Sequence, residues 1–514
     1  MSTQPAERDL RALLAANPRA ITPAVALGEL LIETGRPEEA LAVTAKAVAT
    51  PIANLNLWTV RGLALKALSR LDEAIHAYQR GVEVAPRSGI AEHNLAGALG
   101  DAQRFAESEA ATRRAFAKGL DEPETWLVHA RALQGQARFT EADAAYQQAI
   151  CRRPDYFDAH GDLAQMRWMQ SEDVNVACAS LDAAIVAYPR AQMLRVKKAK
   201  LLEYANDLDG AIAVLAPILA DPAADPEFLL NASQLLANRD PMAALALAER
   251  ACAAFPNDPI AASKLCEANL AAGRADVAAR IAQEIRVFPP LAQYATGLLA
   301  TAWRLSNDAR YRELYDYDRM VKCWRIDTPA PWTHLDAFLA DLQISLEKLH
   351  PLRSHPLNQS LRHGTQTLQG LDKVDDPVIR AFFRAIDGPI RRHIGWLGNG
   401  NDPLGARAVG GYKFNGIWSA RLRPNGYHTN HLHPLGWLSS ACYISLPTAI
   451  ERERQGWIKF GEPGIPTMPR LPPDYYVKPE PGLLVLFPSY LWHGTVPFTG
   501  DETRLTVAFD LLPD

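Results

Sequence analysis

Gly62-Leu-Ala-Leu-Lys-Ala-Leu-Ser-Arg-Leu-Asp-Glu-Ala74-Ile-His-Ala-Tyr-Gln-Arg-Gly81-Val-Glu-Val-Ala-Pro86 sets a small residue first, a second twelve positions on, a third seven further and a proline at the end. The middle position recurs as Ala40, Ala74, Ser108, Ala142, Ala177, Ala211, Ala244 and Ala278, at spacings of 34, 34, 34, 35, 34, 33 and 34. Twelve before it stand Gly28, Gly62, Ala96, Ala130, Ala199, Ala232 and Cys266, with Ala164 thirteen before. Seven after it stand Ala47, Gly81, Ala115, Ala149, Ala184 and Ala251, while Ile218 and Ile285 depart from the rule. Pro86, Pro154, Pro189, Pro256 and Pro290 close units. Small residues at these offsets let two antiparallel helices pack closely, and a proline, lacking its N–H, stops the second helix.

A sustained 34-residue beat is not required by a generic helical bundle. The pattern resembles the tetratricopeptide repeat over about residues 20–293, as about eight repeats, with Ala6 and Pro18 continuing the register backwards. The resemblance implies an all-α superhelix over residues 1–293 whose inner surface holds a peptide or another protein.

Composition bounds the rest. Of 514 residues, 48% are apolar and 22% charged, which suits a chain that buries large cores. A net charge of −4 supplies no basic field, so neither nucleic acid nor an anionic membrane is an expected partner. The six cysteines include no CxxC pair and read as reduced thiols. The first twenty residues hold no uninterrupted apolar run, and no stretch of about 18 uncharged apolar residues follows, so a cytoplasmic location is expected.

Eight of the eleven tryptophans and nine of the thirteen histidines lie beyond residue 300, so a second architecture begins near there. Residues 294–350 show apolar residues at three- and four-residue spacing and read as a helical connector. From 351 to 514 the texture changes: a long helix over 375–394 precedes strands over 416–423, 436–446, 456–460, 482–487 and 504–512, divided by Pro-Gly turns. The expected fold is thus α + β and multidomain, an N-terminal superhelix followed by an antiparallel barrel or jelly roll with helices packed outside.

Arg423-Pro-Asn-Gly-Tyr-His-Thr-Asn-His-Leu-His433-Pro places three histidines within six residues. On an extended strand His431 and His433 share a face and can chelate one ion, whereas His428 has the opposite parity and reads as a neighbour on the substrate side. His493, sixty residues on and after an apolar strand, is the third candidate ligand. Arg504 opens the last strand with Thr506 on the same face. A guanidinium inside a barrel calls for an anion, and its planar fork fits a carboxylate. At the surface it would instead pair with Asp501, Glu502 or Asp510. Tyr443, Trp437, Trp457 and Trp492 read as barrel core, and Gln359, Arg362, Thr365 and Gln366 as a capped polar turn.

His431-Leu-His433, the run from Leu438 to Pro447, the run from Pro481 to Pro488, His493 and Arg504-Leu-Thr506 resemble the Fe(II)- and 2-oxoglutarate-dependent oxygenases of the double-stranded β-helix fold, over about residues 405–512. The likeness is nearest to those fused to tetratricopeptide repeats, whose entry region the segment Asn358–Thr367 also resembles. It implies that His431, His433 and His493 bind iron, that Arg504 and Thr506 hold the distal carboxylate of 2-oxoglutarate with Tyr443 as a further candidate, and that dioxygen is consumed in hydroxylating a substrate. His433 stands where the wider superfamily has Asp or Glu. Three neutral imidazoles leave a divalent ion at +2, which also suits a three-histidine zinc enzyme or a dioxygenase that uses no keto acid. Asp510 is a carboxylate that can complete the set. An interaction scaffold with a structural metal barrel is the non-enzymatic alternative.

Overall fold

The computed structural model describes residues 4–49, 54–219, 221–357, 359–398, 404–408 and 410–514; Asn358 lies outside them. Among the described residues eight helix pairs follow the helix Gln4–Ala16, from Ile21–Glu33 with Pro37–Val48 to Pro259–Ala271 with Ala275–Ile285. Side chains start several of these helices: Asn54 accepts the Leu57 N–H at 3.1 Å and Ser88 that of Ala91 at 3.2 Å. The small residues sit where helices touch, so a Cβ on Gly62 would lie 2.4 Å from the Tyr78 ring. Within most pairs the first helix ends on a left-handed residue, Gly35, Ser69, Gln103, Ala137, Glu172, Asn206 or Gly273. The next N–H then reaches back to close the helix end, as in Arg70 N to Leu65 O at 2.9 Å and Arg104 N to Leu99 O at 2.8 Å.

The chain forms two compact units, Met1–Leu163 and Ala164–Asp514. In the second, the 34-residue beat outlasts the prolines that marked it. Asn307, again left-handed, stands 34 residues after Gly273, and Asp308 N closes on Trp303 O at 2.8 Å. The helix Ala292–Leu305 is therefore built like the first helix of a further unit, whose second helix has shrunk to Tyr311–Leu314. The stretch 294–350 also departs from its all-helical reading, because it contains a strand that pairs with a partner about 160 residues away, a signal that local periodicity does not carry.

Nine strands follow in chain order: β1 Lys322–Arg325, β2 Leu361–Gln366, β3 Tyr412–His428, β4 Leu438–Ser445, β5 Ile458–Phe460, β6 Tyr475–Val477, β7 Leu483–Pro488, β8 His493–Thr495 and β9 Arg504–Pro513. They form a six-stranded sheet, β1-β7-β4-β9-β3-β2, and a three-stranded sheet, β6-β5-β8. Every pair is antiparallel. The polar segment read as a capped turn is the edge strand β2. The helix Pro377–Leu397, whose start Asp376 caps by accepting the Val378 N–H at 2.7 Å, packs alongside. One apolar cluster runs from Cys266, Leu270, Ala282 and Ile285 through Leu298 and Trp303 to Phe487 and Phe509, so the last repeats and the sheet share a core. Among the described residues no helix is long and apolar enough to cross a membrane.

Burial in this second unit also fixes a pH response. His350, His355 and His393 are buried, and loss of hydration holds their imidazoles down, at about 4, about 3 and about 4. An unfolded chain protonates the same rings near 6.5, so below that pH unfolding takes up protons that the fold refuses. Stability therefore falls as pH drops from about 6.5 toward 4, by about 1.4 kcal/mol per pH unit for each such histidine. Thermal melts of the metal-free chain between pH 7 and 4.5 are expected to show a steadily falling midpoint, and a flat profile contradicts this account.

Candidate metal centre

Beyond His428 the chain leaves β3 and bends at Asn430, so Thr429–His433 is a ligand loop at the strand's end, with a single bridge at His431. Its pairing partners fix the side-chain parity all the same. His431 forms a two-way bridge with His493, N to O at 2.8 and 2.9 Å, and His433 N donates to Ser489 O at 2.9 Å. The residues flanking the histidines are gripped by the helix Ala292–Leu305. Trp492 Nε1 donates to Thr301 Oγ1 at 3.0 Å and to Gly297 O at 3.2 Å, while Leu432 fills the space that a side chain on Gly297 would need, 2.4 Å from an added Cβ.

Hydrogen bonds then set each ring. His431 Nδ1 lies 2.8 Å from Thr429 O and His493 Nδ1 lies 3.0 Å from Leu491 O; a carbonyl only accepts, so both rings carry their proton on Nδ1. His433 Nδ1 lies 2.6 Å from Asp510 Oδ2, which assigns the same tautomer. All three Nε2 lone pairs are left free, and the ligand atoms of the three rings lie within 4.8 Å of one another. Nε2 of His431 and of His433 are only 3.1 Å apart. Two facing lone pairs repel, and a shared cation turns that repulsion into binding. Burial, followed by the neighbouring imidazoles, holds His431 down to about 3 and His493 well below the usual histidine range, so these ligands are neutral at physiological pH. His428, also held down by burial, stands 6.2 Å from His431 and bonds Ser360 Oγ at 2.9 Å, outside the cluster.

A cavity of about 520 Å³ is walled by the three histidines together with His428, Trp418, Arg504, Thr506 and Asp510. Arg504 is 2% exposed, and its Nε and Nη1 have no hydrogen-bond partner. Asp501, Glu502 and Asp510 do not pair with it: Glu502 bonds Thr448 and Asp510 bonds His433. Burial lowers its proton affinity, and Tyr443, whose ring centroid lies 5.1 Å from the guanidinium, partly offsets this. A buried guanidinium without an acid is strongly disfavoured, so these orphaned donors fit the carboxylate of a small anion. Thr506, paired with Tyr443 across β4 and β9, lines the same wall. Tyr443 is fully buried with its ring 5.1 Å from the guanidinium, and its hydroxyl, like Arg504 Nε and Nη1, has no hydrogen-bond partner.

Of the neighbours of His433, Trp418 had escaped sequence reading, while Asp510 had been read as a carboxylate that can complete the ligand set. Trp418 stacks on His433, with centroids 5.9 Å apart and planes 11° apart, and Asp510 bonds the same ring. Asp510 lies 77 residues from His433, and the pairing of β9 with β4 and β3 brings it there. Trp437 and Trp492 are core as expected, each with its indole N–H bonded.

Residues 416–510 match the family described as "Putative 2OG-Fe(II) oxygenase". Tetratricopeptide-repeat models match residues 55–88, 127–192, 196–259 and 229–293. None of the curated proteins matches the chain. Among solved structures, YrrB, a TPR protein with an unusual peptide-binding site, is 17% identical over 36% of this chain and 95% of its own, with a TM-score of 0.29. A tetratricopeptide repeat protein from Parabacteroides merdae is 14% identical over 47% of this chain and 96% of its own, with a TM-score of 0.33. MamA from Desulfovibrio magneticus is 17% identical over 34% and 97%, with a TM-score of 0.27. By the family models, the chain carries tetratricopeptide repeats and, after them, a region that matches the family described as "Putative 2OG-Fe(II) oxygenase".

Proposed function

We propose that this protein is an Fe(II)- and 2-oxoglutarate-dependent dioxygenase that hydroxylates a protein or peptide recruited by the repeats. The observation that carries the reading is Arg504, an acid-free buried guanidinium in the same cavity as three convergent imidazoles. His431, His433 and His493 would hold the metal through Nε2, and Arg504 with Thr506 would orient the distal carboxylate of 2-oxoglutarate. Bound Fe(II) supplies the redox chemistry that couples decarboxylation of the keto acid to oxygen transfer. The chain's own work is to orient the cosubstrate, fix the three tautomers and keep bulk water out of a cavity backed by core.

A protein or peptide substrate is supported by a second cavity, of about 620 Å³, that shares Arg362, His428 and Thr429 with the first. One wall comes from repeat residues Glu203, Asn238 and Ala271, the other from the barrel segment 459–471, where Met468 N bonds Leu270 O at 3.1 Å. A chain lying along the repeats would pass through it to the metal cavity, and binding by both surfaces raises the local concentration of the reacting residue.

Anaerobic addition of Fe(II) and then 2-oxoglutarate to the metal-stripped protein is expected to give a visible charge-transfer band at one equivalent of each. Stoichiometric metal binding without a band would instead favour a three-histidine centre that uses no keto acid. The lack of a carboxylate in the cluster is the observation behind that second reading. No metal binding at all would favour a scaffold.

A further inference from the structure

The ligand cluster contains no anion, yet an anion stands one hydrogen bond behind it. Asp510 is 8% exposed, and its Oδ2 accepts from His433 Nδ1 at 2.6 Å. Its Oδ1 accepts from Ser439 Oγ at 2.7 Å, Ser439 Oγ lies 2.8 Å from Ser489 Oγ, and Ser489 O takes the His433 N–H at 2.9 Å. The carboxylate and the ligand therefore belong to one closed ring of bonds, both serines buried. His433 is its sole basic partner among the described ion pairs. Space is kept for the ring by Gly436, where an added Cβ would lie 2.3 Å from Ser489 Oγ and 3.5 Å from Asp510 Cγ; its backbone does not require glycine, so close approach is the reason for it. Trp418 lies nearly parallel to the imidazole, with the ring centroids 5.9 Å apart.

We propose that Asp510 is a positioning residue that supplies, through His433, the negative charge that the three-histidine ligand set lacks. The inference rests on the metal-centre reading above. A carboxylate on the far nitrogen makes the imidazole a stronger donor at Nε2 and shares its charge with the ion, as the outer partners of ligating histidines do elsewhere. The arrangement moves the superfamily's carboxylate from the metal to the next atom outward. Both carboxylate oxygens are hydrogen-bonded within the chain, and the side chains whose ligand atoms converge are the three histidines, so Asp510 acts through the ring of His433.

The test compares wild type with D510N, full-length and metal-stripped, by Co(II) titration against a competing chelator and by the midpoint potential of the iron-loaded protein. Asparagine keeps an acceptor for Nδ1–H and removes the charge. The expected result is a dissociation constant about 10- to 100-fold higher and a more positive potential. Affinity within twofold of wild type overturns the proposal. Weaker affinity with an unmoved potential also overturns it, since Asp510 would then be a geometric support alone. Should D510N fail to fold, as judged by its near-ultraviolet dichroism, D510S carries the same expectations in less volume. Failure of the wild type itself to bind Co(II) would sink the metal-centre reading and this inference together, whereas tight binding by both proteins would sink only the inference.

Discussion

Replacing Arg504 by leucine is expected to make the cosubstrate-free protein more stable while nearly abolishing its affinity for 2-oxoglutarate. The two effects share one cause. In the absence of an anion the guanidinium is buried beside Tyr443 with Nε and Nη1 unbonded, a cost the fold carries in advance of binding. Replacing buried ionic groups by apolar side chains of similar volume ranges from neutral to a stabilisation of about 1 to 4 kcal/mol. Leucine is shorter and leaves part of the volume unfilled, so the lower end of that stabilisation applies, a rise of about 2 °C or more in the melting temperature. Removing one partner of a buried charge pair, in contrast, costs about 2 to 5 kcal/mol of binding, which is about 30-fold to several thousand-fold in the dissociation constant. The charge-transfer titration and a thermal melt read the two quantities on one sample. A wild-type band in R504L would remove Arg504 from the cosubstrate site. A lower melting temperature would show that the guanidinium supports the fold and is not poised for a ligand. Fe(II) affinity should be unchanged, because Arg504 makes no bond to the three histidines.

The features legible in the sequence are those whose signal is local. Small residues at 34-residue spacing mark helix contacts because contact excludes bulk there, and the His431-Leu-His433 pair is legible because both residues sit in one short loop, held by the bridge of His431 to His493 and the bond of His433 N to Ser489 O. The helix-ending turns were hidden, since only Gly35 and Gly273 advertise the left-handed backbone that Ser69, Gln103, Ala137, Glu172 and Asn206 also adopt. Strands β1, β2, β6 and β8 are three to six residues long and depend on distant partners. The same distance hid the role of Asp510. Its acidity was visible in β9, but its neighbour is chosen by the β4–β9 register and by the space left at Gly436. Arg504 was legible as an anion site only in chemistry, and the burial that makes the case is a property of the closed sheet.

A chain beginning at residue 294 is expected not to fold, whereas one beginning at Tyr156 is expected to fold and to bind metal. The boundary that composition suggests would cut through the core of the second unit. Cys266, Leu270, Ala278, Ala282 and Ile285 belong to the apolar cluster that continues into Trp303, Phe487 and Phe509, and the helix Ala292–Leu305 rests on them. Uncovering it exposes contacts each worth about 1.5 to 3 kcal/mol per large side chain, against a whole-domain stability of about 5 to 15 kcal/mol. Polar ties go too: Arg353 N and Ser354 N both bond Met169 O at 3.0 Å, Arg423 pairs with Glu172, and Arg362 stacks 4.2 Å over Tyr204. The expected outcome is a soluble, cooperatively melting 156–514 chain with wild-type Co(II) affinity, and an aggregated 294–514 chain. A folded, metal-binding 294–514 chain would show that the shared core is dispensable. The consequence reaches the substrate question. Deleting every repeat would unfold the barrel whether or not the repeats recruit anything, so recruitment has to be tested by surface substitutions in the cavity between repeats and barrel, such as Glu203→Lys or Asn238→Asp, which leave the core and the histidine cluster in place.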